Sequence, residues 1–256
     1  MAAQATTGLG LSADELDRWP GRERRHPSRA GKDYLVLAPL AAQLAAAARS
    51  YAPERTGLAV LDVGCGEKPY LPLFAARAAS YTGFDVAPGP GVDDVGVAER
   101  LPYEAGRFDV VLCTQVLEHV DEPGAVVGEI RRVLAPGGMA LLSTHGSFVF
   151  HPSPPPDRDY WRWTHAGLER VFRGAGEWAE LSVSAHGEYI SCLAYLAAHL
   201  VETPLQRVGP RTRGAFYRAL NATAAYLDRR ALPATLRVPH PLSLTANYLV
   251  RAVRPA

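Results

Sequence analysis

The chain has 256 residues, a formal net charge of +1 and 48% hydrophobic residues. That length is enough for one complete hydrophobic core with an insertion. The near-neutral charge gives no electrostatic reason to expect nucleic acid as a partner, and the three cysteines have neither metal-ligand nor disulfide spacing. With no secretory signal and no apolar run long enough for stable membrane insertion, the sequence predicts a cytoplasmic protein.

Two helices are predicted before the first strand. Ser12, followed three residues later by Glu15, is a capping-box pattern and predicts a short helix over residues 11–16. A longer helix, rich in alanine and leucine, is predicted over residues 33–51, although Pro39 lies in its middle.

The stretch that follows carries the strongest functional pattern. An apolar run over residues 58–63 predicts a buried strand, and Gly64 and Gly66 follow it. Glycines let the backbone turn sharply and approach a ligand closely, because they have no Cβ. Asp62 lies near the end of this strand, and Asp85 ends the next apolar run. Carboxylates at neighbouring strand ends can accept hydrogen bonds from ribose hydroxyls, so the sequence predicts a nucleoside site.

Five motifs occur in order from this point. They are Asp62-x-Gly64-x-Gly66-x-x-Pro69, Leu101-Pro102-Tyr103, Phe108-Asp109-Val110-Val111, Val116-Leu117-Glu118-His119-Val120 and Leu134-x-Pro136-Gly137-Gly138. Together they resemble the landmarks of bacterial class I S-adenosylmethionine-dependent methyltransferases that act on small molecules, over roughly residues 34–172. The resemblance implies an α/β, Rossmann-like fold: a mostly parallel seven-stranded sheet with flanking helices and an antiparallel edge hairpin.

A dinucleotide-binding oxidoreductase is the alternative family. Its fingerprint needs a third glycine or alanine where this chain has Pro69. Proline also lacks the N–H group that would help to bind a pyrophosphate. The methyltransferase resemblance is therefore favoured.

The resemblance implies S-adenosylmethionine as cofactor. The residues implied to bind it are Asp62, Gly64, Cys65, Gly66, Asp85, Val86, Ala98, Glu99 and Gln115. Where the family has an acid that contacts the adenine amino group, this chain has Val97, and Asp94 and Glu99 are the alternatives. N-terminal segments of the family often fold over the cofactor, so residues 1–32 are expected to be partly disordered or to cover it.

The rest of the predicted methyltransferase core (33–186) alternates strands and helices. The predicted elements are a helix over 70–79, strands over 81–85, 92–97, 108–114 and 139–143, helices over 123–134 and 165–172, and edge strands over 178–185 and 246–253. Thr164 is the predicted N-cap of the helix over 165–172. The last strand belongs to a C-terminal core segment, residues 245–256.

A helical insertion over residues 187–244 separates the two edge strands. It contains predicted helices over 189–202 and 215–230, the first of them strongly apolar. Packing against the sheet, or against a second subunit in a homodimer, is the favoured role. A lid over an apolar substrate is the alternative.

Methyl transfer to a hydroxyl group benefits from a base near the ends of the fourth and fifth strands. His145, directly after the fifth strand, and His151, at the start of a proline-rich loop, are the predicted catalytic residues. His119 is an alternative base, for which a structural role is favoured. No acid-and-histidine cluster accompanies His151, so no metal is predicted. The predicted substrate contacts follow His151 in the chain and are Asp159, Tyr160 and Trp161.

The predicted function is methyl transfer to a small-molecule acceptor, through a hydroxyl of a sugar or secondary metabolite. Two alternatives stay open. One is methyl transfer to nitrogen or carbon, and the other is a protein that binds the cofactor or acts as a scaffold without catalysis. No extended basic face indicates a nucleic-acid substrate.

Overall fold

The computed structural model describes residues 8–151, 158–230 and 244–256. The predictions for residues 1–7 of the N-terminal segment, for the proline-rich stretch 152–157 and for residues 231–243 of the insertion lie outside the described residues. The strands are β1 Leu58–Val63, β2 Ala78–Asp85, β3 Asp94–Val95, β4 Phe108–Thr114, β5 Leu134–His145, β6 Glu180–Glu188 and β7 Thr245–Val253. The helices are α1 Ala13–Asp17, α2 Arg22–Arg25, α3 Tyr34–Ser50, α4 Leu71–Phe74, α5 Pro123–Val133, α6 His165–Gly174, α7 Tyr189–Leu200, α8 Glu202–Leu205 and α9 Pro210–Arg230.

The strands form one seven-stranded sheet in the order β3-β2-β1-β4-β5-β7-β6. The strands β1 to β5 pair in parallel, whereas β7 pairs antiparallel with both β5 and β6. This confirms the predicted fold class. The strand order reverses between β1 and β4, and parallel α/β sheets bind ligands at the carboxyl ends of strands beside such a reversal.

Apolar layers cover both faces of the sheet. Every residue of β4 is buried, because α5 and α6 pack on one face and α3 on the other. Leu61 and Val111 belong to the first layer, and their neighbours Val60 and Val110 belong to the second. This two-sided burial explains why the central strand is apolar throughout rather than alternating.

Two helix caps that the sequence predicts are confirmed. The Ser12 hydroxyl accepts a hydrogen bond from Glu15 N, and the Glu15 carboxylate accepts one from Ser12 N at 2.8 Å. The Thr164 hydroxyl accepts a hydrogen bond from Gly167 N at 3.0 Å at the start of α6. Both patterns are local, so neighbouring residues suffice to specify them.

The predicted helix over 70–79 is wrong in length. Only Leu71–Phe74 is helical, and β2 already begins at Ala78, which pairs with Leu58 of β1. Leu58 N donates a hydrogen bond to Arg77 O at 2.9 Å. Pairing with β1 therefore overrides the helix propensity of this alanine-rich stretch.

Two strand predictions also need correction. The strand predicted over 92–97 contains only Asp94–Val95, because a turn closed by Arg100 N and Val97 O follows directly. The strand predicted over 139–143 is longer and begins at Leu134. The glycines expected to precede it lie inside β5, at a register shift opposite Phe108 and Val110. Such an irregularity is a β-bulge, which accommodates extra residues in one strand.

The helices α7 to α9 lie within the predicted insertion. At the start of α7 the Asp228 carboxylate accepts hydrogen bonds from Ile190 N and Ser191 N at 3.1 and 3.0 Å, which fixes α9 against α7. Asn221 of α9 donates from Nδ2 to the carbonyl groups of Arg29 and Gly31, each at 2.9 Å. Among the described residues, no helix has the length and hydropathy needed to cross a bilayer.

Candidate active site

The glycine turn after β1 is closed by backbone and side-chain contacts. Gly64 and Gly66 have φ angles of +69° and +48°, a region that L side chains rarely adopt. A Cβ on Gly64 would lie 2.2 Å from Val116 Cγ2, so glycine is also required there sterically. Gly64 N donates a hydrogen bond to Phe84 O at 2.8 Å, which joins the turn to the end of β2.

Asp85 lies beside this turn with its carboxylate partly exposed. Its Oδ2 accepts a hydrogen bond from Gly66 N at 2.9 Å, and its Oδ1 accepts one from Val86 N at 2.7 Å. A carboxylate can accept about four hydrogen bonds, so each oxygen can still accept another. The side chain is fixed in position and able to bind a vicinal diol.

Asp62, by contrast, is buried beneath the turn. Its Oδ2 accepts a hydrogen bond from the Tyr81 hydroxyl at 2.7 Å, whereas Oδ1 has no partner among the described residues. Burial raises the pKa of Asp62 to about 7 despite the Tyr81 hydroxyl. Burial likewise raises the pKa of Cys65 to about 12, so this thiol stays protonated. Asp62 lines neither of the two cavities beside the turn, and its buried carboxylate supports the turn from below.

Two cavities meet beside the glycine turn, with volumes of about 660 and 170 Å³. Gly64, Gln115 and His119 line both of them. Gln115 has a φ of +59°, and its Nε2 donates to Ser143 Oγ at 2.9 Å and to Asn247 Oδ1 at 3.0 Å. Its amide therefore holds the ends of β5 and β7 together at the point where the cavities join.

The smaller cavity contains most of the residues expected near an adenine. Val86, Val97 and Ala98 line it, and the two valines expose large apolar surfaces. Glu99 also lines it and accepts a hydrogen bond from Asp121 N at 3.1 Å. Asp94 does not line it and instead accepts one from the Tyr103 hydroxyl at 2.9 Å. Of the two acids considered as replacements at Val97, only Glu99 lies in the cavity.

Four histidines line the larger cavity, and three of them, His119, His145 and His151, lie close together. The ring of His151 lies 6.2 Å from that of His145 and 6.3 Å from that of His119. His119 Nδ1 contacts Arg158 O at 2.5 Å. A carbonyl oxygen only accepts hydrogen bonds, so this contact assigns the proton to Nδ1 and leaves Nε2 as an acceptor in the neutral ring.

The two predicted catalytic histidines differ in accessibility. The His145 residue is only 2% exposed, because Phe148 stacks on its ring with the centroids 3.6 Å apart. Burial, followed by the Arg162 charge, lowers the pKa of His145 to about 3. His151 is exposed as a residue, although its ring is partly buried. This partial burial, followed by the His119 charge, lowers the pKa of His151 as well. Both rings are therefore neutral near pH 7, and His151 is the one a substrate can reach.

Glu118 is a polar residue of the site to which sequence analysis assigned no role. It is fully buried, its Oε2 accepts a hydrogen bond from the Thr144 hydroxyl at 2.8 Å, and its Oε1 lies 3.3 Å from His145 Nε2. Oε1 and His145 Nδ1 have no hydrogen-bond partner among the described residues. Burial raises the pKa of Glu118 to about 7. The one available signal was an acid placed between apolar residues of the fourth motif.

The three predicted substrate residues do not line either cavity. Asp159 is bound by Arg162 through two contacts of 2.6 Å and by His151 N at 2.7 Å. Burial alone would raise its pKa, but the Arg162 guanidinium outweighs burial and lowers the pKa to about 2. Trp161 donates from Nε1 to Val120 O at 2.8 Å, and Tyr160 is exposed. Asp159 and Trp161 thus brace the loop, whose residues 152–157 are outside the described ranges.

Residues distant in the sequence complete the larger cavity. Phe148, Tyr195 and His199 line one side of it, and Glu23 and Arg24 of the N-terminal segment line another. That segment is attached to the glycine turn: Trp19 Nε1 donates to Lys68 O at 2.9 Å. The Arg25 guanidinium donates to the carbonyl groups of Trp19, Pro20 and Pro69. None of these cavity residues shares a motif with the others, so no spacing pattern indicated them.

Sequence comparisons identify the family of the chain. A family model described as a methyltransferase domain matches residues 36–191, more than half of the chain. The ubiquinone biosynthesis O-methyltransferase of Pseudomonas paraeruginosa is 40% identical over 109 residues, 36% of this chain and 47% of that protein. The protein of the same name from Psychrobacter arcticus is 38% identical over 105 residues, 34% and 41% of the two chains. The chain thus spans about half the length of the curated relatives it matches.

Solved structures share the fold at low sequence identity. The cyclase SpnF has a TM-score of 0.52 at 20% identity, covering 99% of this chain and 98% of its own. A phosphoethanolamine N-methyltransferase from Haemonchus contortus has a TM-score of 0.50 at 16% identity, covering 96% and 61%. The names of these two proteins describe different reactions, so the likeness speaks for the fold alone. With the family match added, the chain belongs to the class I methyltransferases that use S-adenosylmethionine.

Proposed function

We propose that this protein transfers a methyl group from S-adenosylmethionine to a hydroxyl group of a small molecule, such as a sugar, a phenol or another secondary metabolite. The observation that carries the proposal is the pair of neutral rings, His145 and His151, on the cavity wall beside the glycine turn. A hydroxyl acceptor benefits from such a base. The relatives named O-methyltransferases support oxygen as the acceptor atom.

The residues around the smaller cavity fit the adenosine part of the cofactor. Asp85 presents carboxylate oxygens that can still accept hydrogen bonds from ribose hydroxyls. Val86 and Val97 present apolar surface on which an aromatic base can lie, and Glu99 can accept a hydrogen bond from an amino group at its edge. The space beside Gly66 is open, since no atom lies within 4 Å of the position that a Cβ there would occupy.

The larger cavity would hold the acceptor. When bound, S-adenosylmethionine supplies a methyl group on a sulfonium, which a lone pair can attack in line. His151 accepts the proton of the acceptor hydroxyl, because its ring is neutral and accessible. His145 supports Phe148 by stacking and so shapes the wall beside the acceptor. Much of the remaining acceleration comes from holding the acceptor in line.

The experiment compares two variants by two readouts: calorimetric affinity for S-adenosylhomocysteine, and initial rates on a panel of sugar, phenol and amine acceptors. Asp85→Ala should lose about 100-fold or more in affinity, because two charge-assisted hydrogen bonds are removed. Asp94→Asn, which lies outside both cavities, is the matched control and should keep its affinity. His151→Ala should bind the cofactor product normally and lose about 10² to 10⁴ in kcat on the hydroxyl acceptor.

The outcomes separate the alternatives. Turnover confined to amines, or full kcat in His151→Ala, would replace the hydroxyl acceptor with a nitrogen or carbon acceptor. Unchanged cofactor affinity in Asp85→Ala would remove the ribose assignment. If the wild-type protein binds no cofactor product at all, the noncatalytic alternative replaces the enzyme.

A further inference from the structure

The helix α7 has an unusual surface composition. Its sequence from Tyr189 to Leu200 contains no Asp, Glu, Lys or Arg. One face is buried and includes Cys192 and Tyr195. The opposite face is apolar but exposed: Leu193 is 53% and Leu200 is 82% accessible. A helix that is apolar on all sides is usually buried on all sides, so its exposed apolar face indicates a binding surface.

An open, shallow groove lies at the C-terminal end of this helix, beside Leu200. Its lining residues in the described part of the chain are Val149, Leu196, Ala197, His199 and Leu200. The imidazole of His199 is the one polar side chain among them. Apart from that imidazole, the groove therefore offers a ligand only apolar surface, and its attraction for a ligand would be hydrophobic.

The groove adjoins the larger cavity. His199 lines both of them. In addition, Phe148 and Tyr195 line the cavity, whereas the residues that directly follow them in the chain, Val149 and Leu196, line the groove. The cavity and the groove therefore meet at His199, and the neighbouring side chains of α7 and of the segment after β5 face one or the other.

We propose that this groove holds a hydrocarbon chain of the methyl acceptor. The acceptor class is then an amphiphile: a hydroxyl-bearing head group beside His151, and an apolar tail that extends past His199 along Leu196 and Leu200. The inference rests on the proposed function, because the head group occupies the cavity where methyl transfer takes place. Continuity of groove and cavity favours a single ligand that spans both over a separate partner on the helix face.

Chain-length dependence of binding tests the proposal. Methyl, butyl and octyl gallate share one hydroxyl-bearing head group and differ only in their alkyl chain. Their affinities would be measured by protein fluorescence in the presence of S-adenosylhomocysteine and below the concentration at which octyl gallate forms micelles. Each methylene that the groove covers should tighten binding roughly two- to fourfold, because burial of a methylene is worth about 0.8 kcal/mol.

Two matched variants locate the effect. Leu200→Ser changes a largely exposed side chain, so the fold tolerates it, and it should reduce the gain from methyl to octyl gallate at least about fivefold. Val208→Ser removes an exposed apolar side chain that does not line the groove and should leave the gain unchanged. The inference is overturned if the three esters bind with equal affinity, or if none of them binds. It is also overturned if the increase in affinity from methyl to octyl gallate is the same in Leu200→Ser as in the wild type. An increase that depends on protein concentration overturns it too, because that dependence indicates contact between copies of the protein.

These results are distinguishable from failure of the proposed function. If affinity does not depend on chain length but short hydroxyl acceptors are methylated and His151→Ala is inactive, only the tail groove is refuted. If the chain-length gain is present but no acceptor is methylated, the groove binds an amphiphile and the proposed reaction fails.

Discussion

Glu118 and His145 show how the fold changes the chemistry of single residues. Both are buried, and their side chains approach to 3.3 Å between Oε1 and Nε2. Burial raises the pKa of Glu118 to about 7 and lowers that of His145 to about 3, so both directions favour the neutral form. The contact is therefore not a full ion pair: near pH 7 His145 is neutral, and Glu118 is about half protonated. Below about pH 7 both groups are mostly neutral, so the pair adds no fixed charge beside the cavity.

This assignment predicts how stability depends on pH. The folded-state pKa of Glu118 is raised from 4.5 to about 7, so its stabilising effect is present below pH 4.5 and is lost as the pH rises to about 7. Glu118→Gln keeps a neutral side chain and removes this loss. We expect its free energy of unfolding to rise relative to wild type by about 3 kcal/mol from pH 4.5 to pH 7.

Urea denaturation of both proteins across this range measures the difference. Glu104→Gln, at an exposed position, is the control and should show a constant difference from wild type. A flat profile for Glu118→Gln would show that the carboxyl is ionised in the folded protein. His145 contributes the opposite pH dependence in both proteins, so the difference between them reports chiefly on position 118.

At the scale of elements, the turn after β1 combines two glycines with different requirements. Both have positive φ angles. Only Gly64 faces a close neighbour, because a Cβ on it would lie 2.2 Å from Val116 Cγ2, whereas a Cβ on Gly66 meets nothing within 4 Å. The two positions therefore separate backbone strain from steric overlap.

The matched substitutions Gly64→Ala and Gly66→Ala test this difference. Each should cost about 1–2 kcal/mol for the left-handed backbone, and Gly64→Ala should cost about 1–3 kcal/mol more, because Val116 must move. Thermal or urea unfolding measures both. Equal destabilisation would mean that Val116 yields freely and that backbone conformation alone explains the glycine at position 64.

At the scale of the whole molecule, Asn221 joins the insertion to the N-terminal segment. It is buried and donates to Arg29 O and Gly31 O. The next residues, Lys32 and Asp33, line the larger cavity. The contact thus connects α9 to the wall of the larger cavity. The predicted homodimer through the insertion stays a prediction, which light scattering in solution can test.

Loss of this connection should be measurable. Asn221→Ala leaves two backbone carbonyl groups without these partners and should reduce the free energy of unfolding by about 1–3 kcal/mol. For a chain of this size that corresponds to a fall in Tm of about 2–4 °C per kcal/mol. Gln206→Ala, which removes an exposed hydrogen bond to Glu202, should change Tm by less than about 1 °C. Similar Tm values for both variants would show that the Asn221 contacts add nothing to stability.

The features that could be predicted from the sequence are those formed by residues close together in the chain. The glycine turn with Asp85, the apolar strand β4 and the caps at Ser12 and Thr164 depend on residues within a few positions, so spacing was enough. Prediction from the sequence failed for the helix over 70–79, where pairing of Ala78 with Leu58 outweighs local propensity. For Asp159, a partner in the same loop, Arg162, takes up the carboxylate that was expected to contact a substrate.

By itself the sequence determined the family, the strands of the sheet and the glycine turn after β1, because each is specified by short-range patterns of glycine, acid and apolar residues. Only the tertiary structure decided which polar residues share the cavity. Burial raised the pKa of Glu118, and His199 of α7 lines the same cavity as the glycine turn although the two are far apart in the sequence. Charge state and proximity arise from packing between distant segments, and no local pattern encodes them.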